Sequence, residues 1–388
     1  MIMGQRATRS VAPTGPGRAG RCLQRGRHGL AHTLWVFVPF AGVGAPSTVR
    51  AQNLPPKVVE FLQTRARFTP QEITTANSGN PVVETMSDSD SREIAIVGVI
   101  VVNARRSLVV AQVTDSLATR PDPARLGFGI FSDPAVLTDV ATLRLPHDDV
   151  QDIAKCRPGS CKLKLPAQSI SELQTTVDPK SPSADSAAKA FAARAMVAYI
   201  TAYRAEGKRA LVVYDDEAHP IASADVWAAI LSRSPYMYEY APTLERYLVN
   251  YPQDRPANAP DTFFWALDDM PGAKPILSMI HEVVYEPPEL PGTTLIARQL
   301  LYSDHFLDGG LDLTTVIDRS AGGGAPSDSA GVALLVLRRM HFDELPSGGI
   351  INVRGRVIGK TRDRTETFLR DTKRRTEAAY AARPAGSS

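Results

Sequence analysis

Three short stretches of this 388-residue chain gather side chains able to do acid–base or metal chemistry. "YDDEAHP" (Tyr214 to Pro220) packs Asp215, Asp216, Glu217 and His219 into one loop. Carboxylates beside an imidazole can hold a divalent cation or move a proton. The spacing fits no EF-hand or zinc signature, however, and a solvated turn before a helix accounts for it equally well. "YSDHF" (Tyr302 to Phe306) sets Ser303, Asp304 and His305 in a row, and "HE" pairs His281 with Glu282. A Ser-His-Asp triad through Ser303 needs converging side chains, whereas neighbours on a strand diverge. Neither a G-x-S-x-G elbow nor H-E-x-x-H is present. No catalytic residue, metal ligand set or cofactor is therefore assigned, and the histidines are read as pocket-lining or structural.

"CRPGSCKLKLP" (Cys156 to Pro166) is the one place where two cysteines stand close together. Arg157-Pro158-Gly159-Ser160 suits a type II turn, with Pro second and Gly third. Such a turn brings its flanks within disulfide reach. Zinc would need two further ligands, and neither a second cysteine pair nor a histidine-rich partner stands nearby. The spacing is not the C-x-x-C of redox enzymes. A structural Cys156–Cys161 disulfide is expected, worth roughly 2 kcal/mol for so small a loop.

Two further features concern charge. In "RRMHFDE" (Arg338 to Glu344) one arginine is expected to pair with Asp343 or Glu344. The alternative is a bidentate grip on a ligand carboxylate or phosphate, with Arg339 as the candidate. Near the C-terminus, Arg354, Arg356, Lys360, Arg362, Arg364, Arg370, Lys373, Arg374 and Arg375 face only four acids. That surplus suits contact with anionic lipid headgroups, or it is solvated charge on a helix's outer face. Tyr236, Tyr238 and Tyr240 alternate in "SPYMYEYAP", with Tyr247 and Tyr251 following; they form either an interface or internal packing.

The elements that must position these residues follow from periodicity. "PPKVVEFLQTRA" reads as a short helix opened by proline. "EIAIVGVIVVNA" (Glu93 to Ala104) is too uniformly apolar for a surface strand and is expected to be central, with "RLGFGIF" (Arg125 to Phe131) as a partner strand. Residues 132–255 read as a helical insertion, clearest from Ser181 to Gly207. From residue 260 to 384 the pattern becomes five strand-like runs with short separators, which implies an antiparallel meander. A long helix from about Gly349 to Ala382 closes the chain, with threonines 361, 365, 372 and 376 continuing its apolar stripe. Gly355 and Gly359 are costly inside a helix and are expected to allow close approach to the sheet or to mark a later start.

The first fifty residues bear on location. Six arginines precede the apolar run "LWVFVPFAGVGA" (Leu34 to Ala45), and small residues follow at Val49 and Ala51. That is the layout of a signal peptide over residues 1–51, cleaved near Ala51, with a retained membrane anchor as the alternative. Removing its seven arginines from a formal charge of +3 leaves −4 on the remainder. Nucleic-acid binding thus loses its compositional support. A secreted or periplasmic protein, 52–388 as a single domain, is expected.

Two resemblances add to this reading. "CRPGSCKLKLP", "GAKPILSMIHEVVY" and "LLYSDHFLDGGLDLT" resemble stretches of uncharacterised secreted bacterial proteins, which supplies no activity. The order of a buried strand, helices, a meander and a long last helix weakly resembles the START-like helix-grip superfamily. The fold this implies is α+β, an antiparallel sheet wrapped around a long C-terminal helix, here with a large helical insertion. It also implies a cavity between sheet and helix for a lipid or other hydrophobic molecule. Met279, His281, Tyr285, Leu301, His305 and Arg339 are the candidate ligand-binding residues. A non-enzymatic binder is expected; the alternatives are an envelope hydrolase using His and Asp groups, or a structural protein of the envelope.

Overall fold

The computed structural model describes residues 53–86, 90–119, 124–270, 273–319, 331–345 and 352–382. The expected leader lies outside them, as do residues 349–351 of the expected last helix. Elements are numbered in chain order.

β2 (Glu93–Val102) is buried at every position. A strand covered on both faces has no polar alternation to show, and its two sets of residues serve two cores. Ile94, Ile96, Ile100 and Val102 join one core, and Ala95, Val97, Val99 and Val101 the other. β1 (Val82–Thr85) pairs with β2 on one side and β10 (Val332–Phe342) on the other. The meander runs through β6 (Asp261–Asp268), β7 (Ile276–Tyr285), β8 (Thr293–Ser303) and β9 (Leu307–Asp318) into β10. The eight-stranded sheet has the order β1-β2-β10-β9-β8-β7-β6-β3, every pairing antiparallel. β3 (Arg125–Ile130) is a strand as expected, but its partner is β6 at the far edge. The reason is α3 (Arg106–Thr119), which at 14 residues spans about 21 Å and carries the chain across the sheet.

α10 (Val353–Ala381) and α3 cover one face. Asn352 starts α10 by accepting a hydrogen bond from Gly355 N at 2.8 Å. Its buried stripe is largely threonine: Thr365, Thr372 and Thr376 join Leu369. A threonine can be buried there because its hydroxyl bonds back to the preceding turn, as Thr365 does to Thr361 O and Thr376 to Thr372 O. The glycine that admits the helix is in the sheet. A Cβ on Gly98 would lie 2.8 Å from Leu369 Cδ1 and 3.0 Å from Thr365 Cγ2, whereas one on Gly359 would meet nothing within 4 Å. The same face carries a row of cross-strand partners, Glu282, Arg298, Asp312 and Arg338, one from each of four adjacent strands. Arg298 bonds Glu282 at 2.7 Å, and Arg338 bonds Asp312 at 2.9 Å and Thr365 at 3.2 Å.

The opposite face is covered by α1 (Pro56–Thr64), α2 (Pro70–Asn77) and the insertion. The insertion comprises α4 (His147–Asp152), α5 (Ala167–Thr176), α6 (Ala184–Glu206), the small β4–β5 hairpin (Val213–Tyr214, Ile221–Ala222), α7 (Ser223–Ser232), α8 (Pro235–Tyr240) and α9 (Pro242–Asn250). The alanines of α6 let it lie close to its neighbours, and Gly207 stops it at φ +59°. Only glycine fits there, because a Cβ would sit 1.7 Å from Tyr251 O. Tyr236, Tyr247 and Tyr251 are buried in this core. Among the described residues no helix is long and apolar enough to cross a membrane.

Candidate ligand pocket

The apolar pocket lies between β7–β8 and the helices α4, α5 and α6, on the sheet face opposite α10. It holds about 140 Å³ and is partly open to solvent. Leu163, Leu165, Phe191, Met196, Leu277 and Met279 are among its apolar wall residues. Two tyrosines, Tyr199 from α6 and Tyr302 from β8, also line it.

A local irregularity in β8 builds the wall. Ile280 pairs with Leu300 but Met279 pairs with Tyr302, so Leu301 is an extra residue on β8. A bulge of this kind breaks strict alternation. Leu301 stays in the core, and Tyr302 also turns to the pocket side, where Met279 lies. Tyr199 Oη donates to the bulged carbonyl of Leu301 at 2.7 Å. Burial raises the pKa of both tyrosines, so their hydroxyls stay protonated.

The opposite wall comes from the stapled turn. Cys156 and Cys161 form the expected disulfide, with Cα atoms 4.2 Å apart. Gly159 N and Cys161 N donate to Asp215 O and Asp216 O, and Asp215 N donates to Leu165 O at 2.9 Å. "YDDEAHP" thus serves as the brace of this hairpin: Asp215 Oδ2 accepts from Ala167 N at 2.9 Å, while Glu217 and His219 are exposed. Leu163 and Leu165 line the pocket, and between them Lys164 turns away to Asp308 at 2.8 Å, Asp216 at 3.6 Å and Asp343 at 3.7 Å. Burial opposes the Lys164 charge, but the Asp308, Asp216 and Asp343 carboxylates outweigh it and hold the pKa above the ordinary value.

The pocket's polar end is made by Asp149 of α4 with Asp304 and His305 after β8. One ligand-type atom from each lies within 4.8 Å of the others. Asp149 Oδ1 lies 3.2 Å from His305 Nε2 and 2.6 Å from Lys274 Nζ, and Lys274 also reaches Asp152 at 2.6 Å. Asp304 Oδ1 accepts from Leu277 N at 2.8 Å. Burial pushes the Asp304 carboxyl up to about 7, partly offset by the His305 charge and that N–H bond. Burial acts the same way on Asp149, but the His305 and Lys274 hydrogen bonds prevail and hold it below the usual range. For His305 burial is outweighed by the Asp149 hydrogen bond and the Asp304 and Asp149 charges, so its pKa is raised. The cluster can move a proton or accept a donor. It is a poor cation cage, because an ammonium already sits on Asp149 and His305 spends Nε2 on the same oxygen.

The sequence candidates divide as follows. Met279 lines the pocket, and His305 stands behind its polar end. Tyr285 and Leu301 are in the core on this face without lining it, so they do not face α10. His281 is a structural histidine: Nε2 meets Asp261 at 2.9 Å and the ring stacks on Phe263 at 4.5 Å. Burial lowers its pKa despite Asp261, leaving it neutral. Arg339 pairs with Glu93 and bonds Tyr236 at 3.1 Å, a correction to the expected Asp343 or Glu344 partner. The reason is register: Arg339 lies opposite Ala95 on β2, two residues from Glu93. Asp304 enters the pocket because regular alternation ends with β8 at Ser303. Ser303 Oγ donates to His305 O at 2.7 Å, so it forms no triad with the imidazole. Asp149 and the α6 wall escaped sequence reasoning; the only signal was the "HDDVQD" run at the start of α4.

No protein-family model, curated protein or solved structure matches this chain.

Proposed function

We propose that this is a secreted, non-enzymatic binding protein for a small hydrophobic molecule, held in the pocket between the meander and the insertion. The observation that carries this reading is an apolar chamber ending in a few buried polar groups, the usual composition of a ligand site. Its volume, about 140 Å³, sets the size class. A cavity of about 150 Å³ accommodates benzene, so one ring or one short chain fits and a two-tailed lipid does not. The disulfide supports an oxidising compartment.

The helix-grip likeness is part of the proposal. It is supported by the meander and by α10 packing along β2 and β1. Arg362 Nη2 donates to Val83 O in β1 at 2.7 Å, and Arg364 Nη1 meets Met270 Sδ beyond β6 at 3.0 Å. The ligand pocket is assigned to the other face because the α10 face carries the Glu282–Arg298–Asp312–Arg338 row. Many of the α10 cations are already engaged, as with Arg370–Glu366, Lys373–Glu377 and Arg374–Asp371. This weakens the case for lipid headgroups there. Isothermal titration with toluene tests the function: saturable one-to-one binding with a negative heat-capacity change is expected. Failure of toluene and its polar ring analogues alike to bind would refute it.

A further inference from the structure

The pocket's polar end carries an unused acceptor. Asp149 is nearly fully buried, with a side-chain exposure of 3%, and it lines the pocket. Its Oδ1 is taken by Lys274 and His305, but among the described residues its buried Oδ2 has no hydrogen-bond partner. A buried carboxylate oxygen left unpaired is costly, and this one belongs to a group that faces a chamber large enough for a ligand. Asp304 shares the same end of the chamber. Its Oδ1 is occupied by Leu277 N, and its own burial favours the protonated form, which can donate.

The charges select the head group. A ligand carboxylate would be set against ionised Asp149 with no spare cation, because Lys274 already bridges Asp149 and Asp152. A ligand ammonium would find the Asp149 charge matched by Lys274 and His305. What suits the pair is one neutral group that donates to Asp149 Oδ2 and accepts from Asp304. One carboxylate oxygen of Asp149 and one of Asp304 lie within 4.8 Å of each other. An oxygen about 2.8 Å from each of two carboxyl groups spans such a gap. Resting on the binding function proposed above, we propose that the pocket takes a small neutral alcohol or phenol, its ring or short chain in the apolar chamber and its hydroxyl bridging Asp149 and Asp304.

The test is calorimetric titration of the intact chain with four molecules sharing one ring: benzyl alcohol, toluene, benzoate and benzylamine. Benzyl alcohol is expected to bind at least tenfold more tightly than toluene, since a site built for a hydroxyl rejects the analogue lacking it. It should also outbind both charged analogues. Toluene binding as tightly as benzyl alcohol overturns the head-group assignment and leaves the pocket standing. So does tightest binding of benzoate or benzylamine. No saturable binding of any of the four overturns both this inference and the binding function beneath it.

Discussion

Replacing Asp304 with asparagine gives the sharpest prediction about the polar end. Asp304 is 5% exposed, and its carboxyl is pushed up to about 7 from an ordinary 3.8. It faces Asp149, His305 and, through them, Lys274. The folded state therefore keeps a proton that the unfolded chain releases near pH 4. Stability from this group is full below the unfolded value and is lost as pH rises through about 7. Linkage over that shift gives a loss of about 3 kcal/mol between pH 5 and pH 8. The amide of Asp304→Asn stays neutral and keeps an oxygen for Leu277 N, so it escapes this loss. Urea denaturation of both proteins across pH 5 to 8 measures it. The variant should gain about 3 kcal/mol on the wild type over that range, reduced to the extent that His305 loses the Asp304 charge that helps raise its pKa. Parallel curves would refute the claim that Asp304 is held protonated by burial.

Three further outcomes follow from the packing. Ala195→Phe, which fills the pocket from α6, should abolish toluene binding at a stability cost under about 1.5 kcal/mol, read by calorimetry and urea midpoint. Gly98→Val should destabilise by about 1–3 kcal/mol, because its Cβ alone would meet Leu369 at 2.8 Å; urea denaturation reads this. Arg339→Met should cost about 3 kcal/mol by leaving the buried Glu93 with fewer partners, yet leave toluene affinity unchanged, since Arg339 holds the sheet and touches no part of the pocket.

The meander, the fully buried β2 strand, the helical insertion and the last helix were all legible, because each carries a strong hydrophobic period or an uninterrupted apolar run. β2, however, lies next to the edge of the sheet rather than at its centre. The disulfide was legible from turn chemistry alone. The site was less so. Met279, Tyr285 and Leu301 were expected in a cavity beneath the last helix, whereas all three lie on the opposite face, and alternation cannot register the bulge at Leu301 that brings Tyr302 to the pocket side. Asp149 and Asp304 meet across 155 residues of sequence, a contact that only the docking of α4 on the end of β8 creates. Arg339 found Glu93 rather than its neighbours in sequence because β10 lies between β9 and β2, which local pattern does not reveal. The close-approach glycine lay in β2, where it read simply as one more small apolar residue.

The location of the ligand pocket is the central claim, and methionine methyl groups report on it directly. Met196 and Met279 line the pocket, whereas Met340 packs in the core beneath α10. In ¹H–¹³C spectra of methionine-methyl-labelled protein titrated with toluene, the Met196 and Met279 signals should shift together and saturate while Met340 stays still. Saturable movement of Met340 without the other two would put the ligand between sheet and α10, and would contradict the account.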